Sequence, residues 1–362
     1  MTGAAPGTES PTTAVTLGID VGGTKMLGLA LGSAGEVLAE DRLPSPHPLV
    51  AAPGDPEAAA ALLEGLAALV EQLARAVADR GAPAATSIGV GVPGLVDDTG
   101  RLRYAPNLPA GDGMEVAARL GERVGLRVVA DNDATCAAVA EWVLGAAAGA
   151  TDAVMVTLGT GIGGGLVCGG KVMRGANGFA GEIGHMVVDP SGPQCSCGRR
   201  GCWERFASGS GLARLAREAA HAGRLASVVH LAGDDPDAVR GEHVAEAAAS
   251  GDAEAQAVLE ELGFWIALGL SNLALALDPE VMVIGGGLSD LVAGILPSVQ
   301  QSMDSMLWPA STRPQIRIAP AALGERAGAI GAALVAREDD RYGAGRSRRA
   351  GAGTHGAPQT GR

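Results

Sequence analysis

The spacing of apolar side chains along this chain predicts alternating strands and helices. Residues 57 to 80 repeat apolar side chains every three or four positions, which is typical of an amphipathic helix, and Gly81 is suited to end it. Shorter apolar runs bounded by glycine or proline predict strands. Such strands are expected as a pair at 15 to 31, near Val37, at 87 to 92 and at 127 to 130, with a second helix at 134 to 144.

The second half of the chain repeats the opening pattern. Residues 152 to 172 again show strand, glycine turn and strand, as residues 15 to 31 do. Two α/β halves that each open with a glycine-turn hairpin predict duplicated folds with a cleft between them. Further helices are predicted at 209 to 221, 241 to 250 and 252 to 277, followed by a strand that runs into Gly285, Gly286 and Gly287.

The same pattern sets the expected domain boundaries. A small α/β domain is predicted at 14 to 133 and a large one at 134 to 337, with a last helix at 324 to 337 that packs back on the small domain. Residues 1 to 13 and 338 to 362 are rich in small and polar residues without periodicity, which predicts disordered ends.

Composition narrows the classes of function. The net charge of −13 argues against nucleic acid or an anionic membrane as the main partner, because both need a basic surface. The first residues lack the charged and apolar regions of a signal peptide. The longest apolar run, 264 to 277, is shorter than the about 20 residues of a membrane span and predicts a buried helix. A cytoplasmic protein with a small-molecule ligand is therefore expected.

The segment from Gly181 to Glu204, GEIGHMVVDPSGPQCSCGRRGCWE, gathers one histidine and three cysteines. Structural zinc takes four N or S ligands, so this Cys3His set is complete and leaves no open position for catalysis by the metal. Free cysteines buried beside a loop histidine are the alternative. The remaining Cys136 and Cys168 are expected to be small core residues. The predicted zinc ligands are His185, Cys195, Cys197 and Cys202.

Two glycine turns are candidates for binding phosphate. GIDVGGTK resembles a P-loop, but Thr24 and Lys25 stand in the reverse of the required order. GTGIGG at 159 to 164 fits a dinucleotide fingerprint, but a predicted strand rather than a helix follows it. Either turn can still present backbone N–H groups to phosphate oxygens, and Asp20 is suited to hold Mg²⁺ through water. The predicted nucleotide contacts are Asp20, Gly22, Gly23, Thr24, Lys25, Gly159, Thr160, Gly161, Gly163 and, near the adenosine, Gly286.

Six motifs occur together in this chain: LGIDVGGTK (17–25), ADNDA (130–134), GTGIGGG (159–165), GEIGH (181–185), CSCGRRGCWE (195–204) and IGGGL (284–288). In combination they resemble the ROK family of sugar kinases, most of all its bacterial glucokinases. The resemblance implies a two-domain actin-like (ribonuclease H-like) fold and phosphorylation of D-glucose at its 6-hydroxyl by Mg-ATP, giving glucose 6-phosphate and ADP. It also implies a structural zinc and a homodimer or homotetramer.

The resemblance further implies roles for single residues. Asp133 of the NDA motif would be the general base, since an ionised aspartate can accept the proton of the attacking hydroxyl. A helix N-cap is the other interpretation of Asp133. His185 would bind zinc through one ring nitrogen and offer the other to a sugar oxygen. Asp131 is expected to be structural, and Asn107 also fits a turn. The implied sugar contacts are Asn107, Asn132, Asp133, Glu182, His185 and Glu204.

Three alternatives remain open at this level. The same motifs fit a kinase for another sugar, such as N-acetylglucosamine, N-acetylmannosamine or fructose, and polyphosphate could replace ATP as the donor. A sugar-sensing transcriptional repressor of the ROK type would carry a helix-turn-helix ahead of the kinase-like part. Two helices and a turn do not fit into the 14 residues before Val15, which disfavours the repressor.

Overall fold

The computed structural model describes residues 14–46, 54–106, 108, 111–309 and 312–337. The predicted disorder of residues 1 to 13 and 338 to 362, and the predicted sugar contact Asn107, lie outside these residues. The strands are β1 Val15–Val21, β2 Lys25–Leu31, β3 Val37–Pro44, β4 Ala85–Val92, β5 Leu95–Val96, β6 Leu102–Tyr104, β7 Arg127–Asn132, β8 Ala153–Leu158, β9 Ile162–Cys168, β10 Lys171–Val172, β11 Val281–Gly285 and β12 Arg317–Pro320. The α-helices are α1 Pro56–Asp79, α2 Val116–Val124, α3 Asp133–Leu144, α4 Glu204–Ala207, α5 Gly209–His221, α6 Ala226–Leu231, α7 Gly241–Ala249, α8 Ala253–Leu277, α9 Ser289–Met306 and α10 Ala327–Val335.

Two five-stranded sheets share one topology. The first has the strand order β3-β2-β1-β4-β7 and the second β10-β9-β8-β11-β12. In each, the first three strands along the chain form an antiparallel meander, and two further strands add in parallel beside the first of them. The predicted α/β class with duplicated halves is confirmed, and both glycine turns are hairpin turns, as the sequence indicates.

Helices α3 and α10 lie between the two sheets and join them into one core. Glycine makes the close approach possible: a Cβ at Gly18 of β1 would lie 1.9 Å from the Ala329 carbonyl oxygen of α10. A Cβ at Gly331 of α10 would lie 1.6 Å from the Cys136 carbonyl oxygen of α3. Because α10 packs against β1 and β4, the last helix contacts the first sheet. The domain boundaries themselves stay a prediction.

Local sequence signals explain where the long helices begin. The Asp55 carboxylate accepts hydrogen bonds from the first backbone N–H groups of α1, and Pro56 follows at the first helical position. The Asp252 carboxylate caps α8 in the same way. Helix α9, which contains Pro297, was missed by the sequence patterns, because proline in a helix interior is a breaking signal.

Helix α8 is the one helix in the described part of the chain that is long and apolar enough to cross a membrane by length and composition. Of its most apolar window, 61 % is buried inside the protein. A Cβ at Gly269 would lie 1.9 Å from the ring of Trp203, which is fully buried and donates its indole N–H to the Trp265 carbonyl. Helix α8 is therefore a core helix of the second half, as its interrupted apolar run predicts.

Candidate functional site

A cleft of about 590 Å³ opens between the two halves of the chain. Its size is in the range of small-molecule sites. One wall is the first glycine turn between β1 and β2, the opposite wall is the end of β11 with the start of α9, and α10 closes the bottom. The lining residues include Asp20, Gly22, Thr24, Lys25, Asp133, Thr157, Gly285, Gly286, Gly287, Ser289, Asp290, Ala321, Gly324, Glu325 and Gly328.

Asp20 projects into this cleft from the end of β1. Its carboxylate lies against the backbone of Gly328 in the first turn of α10, where a Cβ would come within 2.5 Å of the Asp20 Cγ. On the other side, a Cβ at Gly91 of β4 would be 3.5 Å from Asp20 Oδ1, which is an ordinary contact distance. The missing side chain at Gly328 therefore makes the room that this carboxylate occupies.

Asp133 stands at the junction of β7 and α3. The helix N-cap is Asn132, whose side-chain oxygen accepts the Thr135 N–H at 2.9 Å, so Asp133 is the first helical residue. The N-cap interpretation of Asp133 is therefore wrong by one residue, and its carboxylate lines the cleft instead. Asn132 also donates to the Gly94 carbonyl at 3.1 Å, which anchors the start of the helix to the end of β4.

Both cleft carboxyls have raised pKa values. Burial and, to a smaller extent, the charge of Asp133 raise the pKa of Asp20 to about 7, against the opposing effect of Lys25. Burial also raises the pKa of Asp133 to about 6, with a contribution from the charge of Glu182, while the Ala134 N–H opposes it. Strongly shifted groups in a cleft are typical of functional sites. These two carboxyls are the strongest candidates for proton and cation chemistry in the cleft.

Strand β9 lies between the start of α3 and the turn that carries Glu182. A Cβ at Gly163 would lie 2.8 Å from the Ala134 Cβ, and one at Gly165 would lie 2.3 Å from the Ala138 Cβ. On the opposite face, a Cβ at Gly164 would lie 2.5 Å from Ile183. Strand alternation thus explains the run of glycines: the strand is thin on both faces, so Asp133 and Glu182 are brought near each other.

One cluster contains the four predicted zinc ligands: His185, Cys195, Cys197 and Cys202. Their ligand atoms all lie within 4.8 Å of one another, with 3.8 Å from Cys195 Sγ to His185 Nδ1 and 3.5 Å between Cys197 Sγ and Cys202 Sγ. Tetrahedral ligands with Zn–S bonds of about 2.3 Å are separated by about 3.8 Å, so the donor set and its spacing fit zinc. The structure therefore brings all four predicted ligands together.

Two carboxylates border this cluster. Glu182 Oε2 is 3.9 Å from His185 Nε2, the ring nitrogen that faces away from the thiols. Glu204 Oε1 is 2.9 Å from Cys195 Sγ, and its other oxygen would lie 2.6 Å from a Cβ at Gly161. Glu204 thus joins the cluster to the second glycine turn. Of the six predicted sugar contacts, Asn132 and Asp133 lie at the start of α3, His185 belongs to the cluster and Glu182 and Glu204 border it. Asn107 lies outside the described residues.

The predicted nucleotide contacts fall into two groups. Asp20, Gly22, Thr24, Lys25 and Gly286 line the cleft, and Gly23 is exposed beside them. The second turn adjoins the cleft without lining it: the carbonyl of Gly159 accepts the Gly209 N–H at 2.8 Å, and that of Thr160 accepts the Ser210 N–H at 3.3 Å. Gly163 has the packing role described above. Contacts of Gly159, Thr160, Gly161 and Gly163 with nucleotide stay predictions.

Three charged residues of the site were missed by the sequence patterns. Arg174 donates from Nε to Asp131 Oδ2 at 2.8 Å, and Asp131 is thereby structural, as expected. Glu325 pairs with Lys25 at the cleft. Glu141 of α3 accepts three backbone N–H groups, two of them from residues next to Ala321 in the cleft wall. All three interactions join distant parts of the chain, so no local spacing signals them.

Comparisons with known proteins agree with this geometry. The sequence model of the ROK family matches residues 16–339. The chain is 36 % identical over 329 residues to a glucokinase of Streptomyces coelicolor, which covers 90 % of this chain and 98 % of that relative. It is 35 % identical over 322 residues to an N-acetylmannosamine kinase of Escherichia fergusonii, which covers 89 % of this chain and 98 % of the relative.

A solved structure extends the likeness to three dimensions. The crystal structure of a ROK family glucokinase from Streptomyces griseus in complex with glucose and AMPPNP superimposes with a TM-score of 0.75 at 35 % identity. The match covers 90 % of this chain and all of that one (100 %). The actin-like fold expected from the motifs is confirmed by this match. Sequence, topology and site geometry agree, and this chain belongs to the ROK family.

Proposed function

We propose that this protein phosphorylates the 6-hydroxyl of D-glucose with Mg-ATP, giving glucose 6-phosphate and ADP. The chain is an ATP-dependent hexose kinase of the ROK family. The observation that carries the proposal is the position of Asp133. Its carboxyl lines the cleft, and the charge of Glu182, beside the histidine–cysteine cluster, raises its pKa. One carboxylate therefore faces both a donor site and a polyol site. The Streptomyces griseus relative holds glucose and AMPPNP in a like fold.

In the proposed reaction Asp133 accepts the proton of the sugar 6-hydroxyl as that oxygen attacks the γ-phosphorus. The new O–P bond forms while the bond from the γ-phosphorus to the β–γ bridging oxygen breaks, and ADP leaves. Thr24, Lys25 and the backbone N–H groups of the first turn hold the phosphates, and Gly286 lies on the opposite wall, toward the adenosine. Closure of the halves around both substrates excludes water.

Two metal sites support this chemistry. Asp20, which lies against Gly328, would hold Mg²⁺, which neutralises phosphate charge when bound. Zinc would be held by the cluster of His185, Cys195, Cys197 and Cys202. The bound metal would stabilise the segment 185–202 and offer no open position for substrate. His185 would then bind metal through Nδ1 and donate from Nε2 to a sugar oxygen. Glu182, Glu204 and Asn132 complete the polar set proposed for the hexose, together with Asn107.

Replacing Asp133 by Asn tests the assigned base. The amide is isosteric but accepts no proton at neutral pH, so kcat should fall about 10²- to 10⁴-fold while calorimetry finds glucose binding unchanged. Asp79→Asn, an exposed change at the end of α1, is the matched control and should leave kcat unaltered. A variant Asp133→Asn that retains most of the parent kcat would remove Asp133 from the mechanism.

A second substrate class has its own support. The N-acetylmannosamine kinase of Escherichia fergusonii is nearly as similar to this chain as the Streptomyces coelicolor glucokinase, at 35 % against 36 % identity. Comparing kcat/KM for glucose, N-acetylglucosamine, N-acetylmannosamine and fructose, with ATP and polyphosphate each as donor, separates the two. A kcat/KM for N-acetylmannosamine above that for glucose would overturn the glucose assignment.

We further propose a homodimer or homotetramer. Phe264 and Leu275 of α8 are 46 % and 50 % exposed, so part of the apolar surface of this helix faces solvent in the single chain. Sedimentation at several concentrations tests this assembly. A cytoplasmic location stays a prediction. Tight sequence-specific DNA binding at low salt would favour a sugar-sensing regulator over the kinase.

A further inference from the structure

The carboxylate of Glu141 is buried in the middle of the protein. Glu141 is 1 % exposed and lies on α3, eight residues after Asp133, which is about 12 Å along the helix axis. Its Oε2 accepts the N–H groups of Ala146 at 2.8 Å and Ala322 at 3.0 Å, and its Oε1 accepts the N–H of Leu323 at 2.8 Å. Backbone dipoles from two separate loops therefore converge on one buried acidic side chain.

Two of these three donors belong to the segment that forms a wall of the cleft. Ala321, immediately before them, lines the cleft, and Gly324 and Glu325, immediately after them, line it as well. The segment connects β12 to α10, whose first turn contacts Asp20. The Glu141 carboxylate thus connects two parts of the cleft by hydrogen bonds: the helix that begins with Asp133, and the wall proposed to face the nucleotide. We call this set of hydrogen bonds the Glu141 tie.

The tie requires a carboxylate. Two oxygens that only accept can bind all three N–H groups, whereas an amide at this position has one accepting oxygen and would turn a donor toward a donor. The Glu141 side chain is buried, so an amide at this position would have no water to replace the partners that its NH₂ group cannot bind. The backbone is adapted to the carboxylate too: a Cβ at Gly145 would lie 2.1 Å from Glu141 Oε2.

We propose that Glu141 is a positioning residue for the donor half of the reaction, holding the wall Ala321–Glu325 at a fixed distance from the helix that carries Asp133. This inference rests on the proposed function, since it assigns the cleft to nucleotide. It predicts that loss of the tie weakens nucleotide binding specifically. Glucose binding depends on Glu182, His185 and Glu204, none of which contacts Glu141, and should be spared.

The test compares Glu141→Gln with Glu280→Gln in the full chain. Glu280 is the matched control because its Oε1 also accepts two backbone N–H groups, from Thr151 at 2.8 Å and Asp152 at 3.3 Å. It lies just before β11, whereas the cleft lies at the opposite end of that strand. Glu141→Gln should raise KM for ATP and the calorimetric Kd for ADP, measured without sugar, about tenfold, with KM for glucose within about twofold of wild type. Glu280→Gln should change none of these three constants.

Gly145→Ala provides a second route to the same carboxylate. The added methyl group would displace Oε2 without altering the charge, so it should raise the Kd for ADP in the same direction. An unchanged Kd for ADP in both variants, or a KM for glucose that rises as much as the KM for ATP, would overturn the positioning role. A wild-type chain that binds no ADP would overturn the proposed function as well, so the two failures are distinguishable.

Discussion

Lys25 Nζ lies 2.7 Å from Glu325 Oε2, and this contact joins the two halves of the chain at the cleft. Lys25 ends the first glycine turn, while Glu325 lies in the wall that leads to α10. The Lys25 and Glu325 side chains are 50 % and 52 % exposed, so the pair contributes little to stability. In the proposed complex, incoming phosphates would compete with Glu325 for the Lys25 ammonium group.

Removing that competitor should strengthen nucleotide binding. Glu325→Gln is expected to lower the Kd for ADP about two- to fivefold and to change Tm by less than about 2 °C, because exposed ion pairs contribute at most about 1 kcal/mol. Titration calorimetry at low and high salt measures the effect, which should shrink as salt screens the charges. Glu64→Gln, which removes a similar exposed pair with Arg123, is the control and should leave ADP binding unchanged. Weaker ADP binding by Glu325→Gln would show that Glu325 aids the nucleotide.

The raised pKa of Asp20 predicts a gain of stability when its charge is removed. The folded protein holds this proton up to about pH 7, whereas the unfolded chain releases it near pH 3.8. The folded state therefore binds more protons between these values, and stability falls as pH rises from about 4 to about 7. Asp20→Asn should accordingly raise the free energy of unfolding by roughly 1–4 kcal/mol above pH 7 and have little effect at pH 4.

Urea unfolding of wild type and Asp20→Asn at the two pH values checks this prediction. The same variant should lose most of its kinase activity, because a neutral amide is a poor partner for Mg²⁺. A variant that is less stable than wild type above pH 7 would show that the Asp20 carboxylate is stabilised in the cleft and not strained by burial.

The pKa of Asp133 sets the expected pH profile of the reaction. The proposed general base must be ionised, and burial raises the pKa of Asp133 to about 6, so kcat/KM for glucose should fall about tenfold per pH unit below that value and level off above it. Initial rates at saturating Mg-ATP between pH 5 and 8.5 give the curve, and circular dichroism at each pH confirms that the protein stays folded. A profile that is flat down to pH 5 would contradict the raised pKa.

For the segment GTGIGGG, the secondary structure could be predicted from the sequence, but the packing role of its glycines could not. Its strand character was predictable and is confirmed, because β-branched residues and a missing helix signal are local properties. The role of its glycines was not, since Gly163 and Gly165 are required by α3 and Gly164 by the turn before His185. Which element packs on each face of a strand is decided by the rest of the fold.

The histidine–cysteine cluster, in contrast, could be predicted completely from the sequence. All four ligands fall between residues 185 and 202, and the chemistry of zinc fixes both their type and their number, so the sequence alone identified the cluster. The partners of Lys25, Asp131 and Glu141 are separated from them by dozens to hundreds of residues. Only the folded chain reveals such pairs, and two of them border the cleft.

Arg174 is expected to stabilise both the fold and the sugar site. Its pair with Asp131 is buried, with side-chain exposures of 13 % and 2 %, and loss of one partner of a buried pair costs about 3–5 kcal/mol. The Arg174 carbonyl also accepts the Ala180 N–H at 3.0 Å, which shapes the loop leading to Glu182. The side-chain pair anchors this loop to Asp131, beside the proposed sugar contacts Asn132 and Asp133. Arg174→Met should therefore lower the free energy of unfolding and raise KM for glucose more than KM for ATP.

A double-mutant cycle with Asp131→Asn isolates this pair. If the ion pair carries the effect, the double variant should be more stable than the sum of the two single losses predicts. Urea unfolding and glucose kinetics on the four proteins supply the numbers. Additive losses would assign the effect of Arg174 to packing alone.

Removal of zinc should disable the enzyme through its sugar site. The metal would hold His185 in place through Nδ1, and structural zinc contributes about 10–16 kcal/mol in small domains, which is comparable to the usual stability of a whole protein. Chelation or Cys197→Ser should therefore lower Tm and raise KM for glucose at least about tenfold, while ADP binding in the separate cleft changes less. Cys168→Ser, outside the cluster, is the matched control. Mass spectrometry should find one zinc per chain, and metal-free protein with full activity and unchanged KM would exclude zinc from the mechanism.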